Sequence, residues 1–136
     1  MASEATTVRA GGCLCGQVRF RTTGAPLNVR CCHCRTCQRA LAGPYFARAL
    51  FAGGQYAVEG EVTRYATSER IERVSCRLCG TRVMAERRDG SAAGLALALF
   101  DDLGAFPLEC HMFVADKAPW LVLDDGLPQY AERPPA

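Results

Sequence analysis

Apolar and polar residues alternate in short runs along much of the chain. In residues 17–21, Val18 and Phe20 fall on one face and Arg19 and Arg21 on the other, as on a half-buried strand. Residues 44–51, 55–58, 61–66, 70–75 and 81–86 read as further short strands, punctuated by Gly53-Gly54, Gly60 and Asp89-Gly90. In residues 92–100, Leu95, Leu97 and Leu99 alternate with other residues, mostly alanine. That favours a strand with one buried face, against the helical preference of Ala and Leu. Residues 111–115 and 119–123 are expected to be late strands, and one helical turn is expected at 35–41. Nothing repeats as strand–helix–strand, so the expected architecture is mainly β and antiparallel. A single domain over residues 9–130 is expected, between a flexible segment 1–8 and a loose tail 131–136.

Composition is globular: 49% of the 136 residues are apolar and 22% are charged. The formal net charge of +2 is too mild and too scattered to predict a nucleic-acid partner. The longest apolar run, residues 92–100, is far short of the roughly 20 residues of a membrane helix. The first residues carry no apolar run of a secretory signal, so a cytoplasmic protein is expected. A reducing compartment turns nine cysteines, an odd number, towards metal or catalysis rather than disulfides.

The cysteines fall into groups. Cys76-x-x-Cys79-Gly80 has zinc-knuckle spacing, and Cys13-x-Cys15-Gly16 offers a second pincer. A glycine after each pincer can take positive φ and turn backbone N–H groups towards the thiolates. Together they supply the four ligands of a closed tetrahedral site, joining the first β segment to the middle of the chain. Cys32, Cys34 and Cys37 can wrap a second ion from a loop entering a helical turn. Three ligands with an open fourth position is the pattern of catalytic zinc. Cys31, His33 or His111 can instead close that site, which would make it a second structural one. A redox dithiol needs a thioredoxin-like βαβ setting, which is absent. Cys110 reads as a core thiol, and on a strand it and His111 cannot both point inward. Phe113 and Trp120 read as core, and Asp101-Asp102 as part of a turn. With seven thiolates on two Zn²⁺, the charge becomes +2 − 7 + 4 = −1.

Residues 11–20 (GGCLCGQVRF), 32–37 (CHCRTC) and 75–81 (SCRLCGT) resemble the glutathione-dependent formaldehyde-activating enzyme family, shared with centromere protein V. Asp101-Asp102, His111-Met112-Phe113-Val114, Lys117-Ala118-Pro119-Trp120 and Asp125-Gly126-Leu127-Pro128 extend the resemblance over residues 9–130. It implies several small antiparallel sheets around metals. It implies a structural zinc on Cys13, Cys15, Cys76 and Cys79, and a catalytic-type zinc on Cys32, Cys34 and Cys37. It also implies carbon–sulfur lyase chemistry that joins glutathione and formaldehyde reversibly. Cys31 lies outside the family's ligand set.

The expected partner is therefore a small-molecule thiol or thiol adduct, with glutathione as cosubstrate. Arg35 and Arg39, beside the central cluster, are candidates for holding a glutathione carboxylate, against the plainer reading of a solvated helix face. Two other classes compete: a zinc-stabilised binding module without catalysis, and a redox or metal sensor using the central thiols.

Overall fold

The computed structural model describes residues 7–135. Among the described residues, ten strands form two sheets. The smaller is antiparallel, in the order β1 (Val8–Gly12), β2 (Arg19–Thr23), β5 (Tyr56–Glu59). The larger contains β3 (Asn28–Cys32), β4 (Phe46–Ala52), β6 (Val62–Ala66), β7 (Ile71–Cys76), β8 (Arg82–Arg87), β9 (Ala92–Ala96) and β10 (Cys110–Met112), in the order β10-β3-β4-β9-β8-β7-β6. Every pairing between these strands is antiparallel except β10 with β3, which is parallel and places His111 opposite Cys31. The one α-helix among the described residues, α1 (Arg35–Leu41), follows β3 closely. The mainly β fold is as expected, with one parallel pair added.

Alternation places the core. On β2, Phe20 and Thr22 are buried while Arg19, Arg21 and Thr23 are exposed. Phe20 packs edge-on against Phe100, and Phe100 against Phe106, beside Val18, Phe51, Val74, Val83 and Leu95. β9 is buried on both faces from Ala92 to Leu95, as suits a central strand of small residues. Residues 92–100 divide there: the strand ends at Ala96 and a 3₁₀ turn covers Leu97–Leu99.

Three expectations are corrected. Residues 119–123 form no strand: Leu121 N–H closes a turn on the Ala118 carbonyl, and Trp120 is 73% exposed rather than core. The strand expected at 111–115 ends at Met112, because Phe113 takes φ 59° and a 3₁₀ turn follows over Val114–Asp116. Cys110 and His111 are both buried, since β10 is covered on both faces. At the termini, Val8 already belongs to β1, and the carbonyls of Ala131 and Glu132 accept from Ala115 and Phe113. Residues 1–6 of the expected flexible segment, and Ala136 of the tail, lie outside the described residues.

Candidate metal centres

All nine cysteines are free thiols. Three groups of potential metal-ligating atoms gather among the described residues. The first is Cys13, Cys15, Cys76 and Cys79. Cys13 and Cys15 follow β1, Cys76 ends β7, and Cys79 lies in the turn before β8. Cys15 Sγ lies 3.6 Å from Cys13 Sγ and 3.7 Å from Cys76 Sγ. Four sulfurs at 2.3 Å from one tetrahedral ion would stand about 3.8 Å apart, so the donor set fits zinc.

Local backbone prepares this set. Gly16 and Gly80 take φ of 83° and 78°, in the left-handed region that the pincer reading required. Each N–H closes a tight turn, Gly16 on the Cys13 carbonyl and Gly80 on that of Cys76. The turns aim Val18 N–H at Cys13 Sγ (3.3 Å) and Cys79 N–H at Cys76 Sγ (3.4 Å). Gln17 adds an amide N–H to Cys76 Sγ at 3.2 Å. The Thr81 hydroxyl, with backbone help, brings the Cys79 thiol down to about 5. Hydrogen bonds to the anionic form make a thiolate ready for a cation.

The second group is Cys32, Cys34 and Cys37. Cys32 is the last residue of β3 and Cys34 caps α1, accepting from Cys37 N–H at 3.3 Å. One helical turn carries Cys37 back to its partners. Cys32 and Cys37 are buried with Phe46 and Met112, while Cys34 is half-buried. The three thiols compete for charge. Sharing with Cys32 and Cys37 holds Cys34 far down, whereas Cys32 is driven up, first by Cys34 and Cys37 and then by burial. Metal-free, the cluster therefore carries one negative charge readily and three only against repulsion, which a divalent cation would relieve.

Arg73, from β7, donates to Cys37 Sγ at 3.3 Å and lies over the Phe46 ring at 5.5 Å from its centroid. Its Nε and Nη1 are buried without a hydrogen-bond partner. Arg73 also lines a cleft of about 680 Å³ with Thr36, Arg39, Tyr65, Arg82 and neighbours. Three arginines and no acid line it. Of the two candidate arginines, Arg39 is in this cleft; Arg35 instead donates to Gln38 on its own helix. Sequence reasoning missed Arg73 and Arg82. No local signal marked them: Ile71–Cys76 reads IERVSC, in which Arg73 is one polar residue among Glu72 and Ser75.

Cys31, His33 and His111 do not close the three-thiol set; they form the third group. They sit on or beside the parallel pair β3–β10, the feature the sequence did not announce.

The sequence profile of the glutathione-dependent formaldehyde-activating enzyme family matches residues 8–116. The chain belongs to that family. Among curated proteins it is 31% identical to an uncharacterized lyase of Schizosaccharomyces pombe over 108 residues, 79% of each chain. Among solved structures it resembles a Rhodobacter sphaeroides protein, with a TM-score of 0.56 and 26% identity. That match covers 73% of this chain and 98% of the other. The profile spans both complete cysteine sets, and stops before Asp125.

Proposed function

We propose that the protein is a zinc-dependent lyase that makes or breaks a carbon–sulfur bond in a thiol–aldehyde adduct. The observation that carries the reading is the meeting of a three-thiol group with a cleft lined by Arg39, Arg73 and Arg82, joined by the Arg73–Cys37 hydrogen bond. Family membership and the lyase name of the yeast relative support it.

Cys13, Cys15, Cys76 and Cys79 would hold a structural zinc, and Cys32, Cys34 and Cys37 a second one. That second ion, held by Cys32, Cys34 and Cys37, would supply soft Lewis acidity that favours the deprotonated form of a substrate thiol near neutral pH. The chain does the rest. The cleft arginines bind the carboxylates of an anionic thiol such as glutathione. Arg73 offsets negative charge at Cys37 and fixes the cluster against the cleft wall. Holding thiol and aldehyde side by side supplies much of the rate. In the forward direction the S–H proton is lost, the sulfur pair forms the C–S bond, and the carbonyl π pair becomes an alkoxide that takes up a proton. The reverse returns thiol and aldehyde, so no oxidant or reductant is needed. Glutathione with formaldehyde is the pair the family's description gives.

The test is a screen of thiol–aldehyde adducts on zinc-replete protein, reading C–S cleavage. Wild type is expected to turn over an anionic adduct, and Cys37→Ser to lose turnover while keeping its fold. Full activity in Cys37→Ser would sink the proposal.

A further inference from the structure

Cys31, His33 and His111 are outside both cysteine sets, yet they converge. Cys31 and Cys32 are neighbours on β3, so their side chains leave the sheet on opposite faces. Cys32 joins the three-thiol group. On the other side, Cys31 Sγ lies 3.5 Å from His33 Nε2, which lies 2.9 Å from His111 Nδ1. All three atoms are within 4.8 Å of one another. The residues are 1%, 0% and 3% exposed. Behind them, His111 Nε2 meets Asp125 Oδ2 at 2.6 Å.

We propose that Cys31, His33 and His111 form a third cation site, for a borderline d¹⁰ ion such as Zn²⁺, with Asp125 as the outer carboxylate that orients His111. One thiolate and two imidazoles are zinc's own donor types. Bonds of zinc's usual length in a tetrahedron put S and N about 3.5 Å apart, the separation already present between Cys31 and His33. The two nitrogens would need about 3.3 Å, so the rings must part by roughly 0.4 Å. A carboxylate on the far nitrogen of a ligating histidine is the recurrent support of such sites, fixing tautomer and ring direction.

Charge favours the site too. A Cys31 thiolate and the Asp125 carboxylate balance a divalent ion, so the buried cluster would be neutral. Three protein ligands leave one tetrahedral position for a water molecule. The three-thiol group is tied to the 680 Å³ cleft by the Arg73–Cys37 hydrogen bond, whereas none of Cys31, His33 and His111 lines that cleft. Its effect would be to staple β10, and with it the last part of the chain, to β3. The inference stands independently of the lyase reading.

The experiment is zinc stoichiometry by mass spectrometry, after reconstitution of full-length protein with excess Zn²⁺ under reductant and desalting. About three ions per chain are expected for wild type and about two for Cys31→Ala, with circular dichroism unchanged. Asp125, on the surface side of the pair, permits a gentler variant. Asp125→Asn should weaken one ion of the three by about 10–100-fold against a competing chelator, leaving the others unchanged. Two ions in wild type, three persisting in Cys31→Ala, or chelator competition unchanged in Asp125→Asn would each overturn the site. The cluster would then be hydrogen-bonded packing only.

Discussion

At the scale of single residues, Arg73 has the greatest consequence for the proposed chemistry. It touches a ligand-type sulfur, packs on an aromatic face and lines the cleft, while two of its nitrogens lack partners. Arg73→Ala is expected to lower kcat/KM for an anionic adduct by about 10–100-fold, the equivalent of a lost charge-assisted hydrogen bond. A neutral adduct should lose much less; steady-state kinetics on a matched pair of substrates would show the difference. Equal losses on both would mean that Arg73 serves the metal cluster alone. The sequence could nominate Arg39, next to the cysteines in the chain, because helical spacing is local. It could not nominate Arg73 or Arg82, which reach the cleft through strand pairing far along the chain.

Among elements, the same contrast recurs. The pincers were legible because each is a few residues long and ends in a glycine whose φ is part of the motif. α1 was legible from Cys34 onward for the same reason. β1 and β3 were not. β1 contains two glycines, and β3 reads as polar residues running into cysteines. The glycines of β1 answer to tertiary packing. A Cβ on Gly11 would lie 2.2 Å from the Leu99 carbonyl oxygen and 2.5 Å from the tip of the Phe20 ring. Backbone and a buried ring cannot both retreat, so Gly11→Ala should destabilise the protein by about 1–3 kcal/mol. Chemical denaturation of zinc-loaded protein would measure it; an unchanged midpoint would mean that β1 shifts freely. The late stretch 119–123 misled in the opposite way. Its Trp and Val have strand propensity, but the chain runs there without a sheet edge to join.

For the molecule as a whole, the proposed reading gives the two cysteine sets different work. The closed set links residue 15 to residue 76 at 3.7 Å across two separate sheets. Joining sites so distant in the chain removes much freedom from the unfolded state. A strong chelator should therefore act in two stages. The ion on Cys32, Cys34 and Cys37, beside the cleft, should leave first with loss of turnover and little change in circular dichroism. The ion on the closed set should leave later with cooperative unfolding. Simultaneous loss of activity and structure would contradict that division. The grouping of the ligand atoms was legible in part. The pairing of Cys13 and Cys15 with Cys76 and Cys79 follows from counting ligands. The separation of Cys31, His33 and His111 from the central set follows from strand faces and a parallel neighbour, neither of which is local.

The parallel strand β10 has a further consequence, for synthesis. His33 N–H is held by the Met112 carbonyl, and Gln38 reaches from α1 to the carbonyls of both His33 and Asp116. The loop bearing Cys32, Cys34 and Cys37 thus takes its final shape only once residues 110–116 have emerged from the ribosome. At ordinary elongation rates the central thiols wait about 4–15 s for that partner. The four-cysteine set has all its ligands by Cys79. On the proposed reading, the nascent chain would secure the four-cysteine metal while Cys32, Cys34 and Cys37 are still open to oxidants and competing ions.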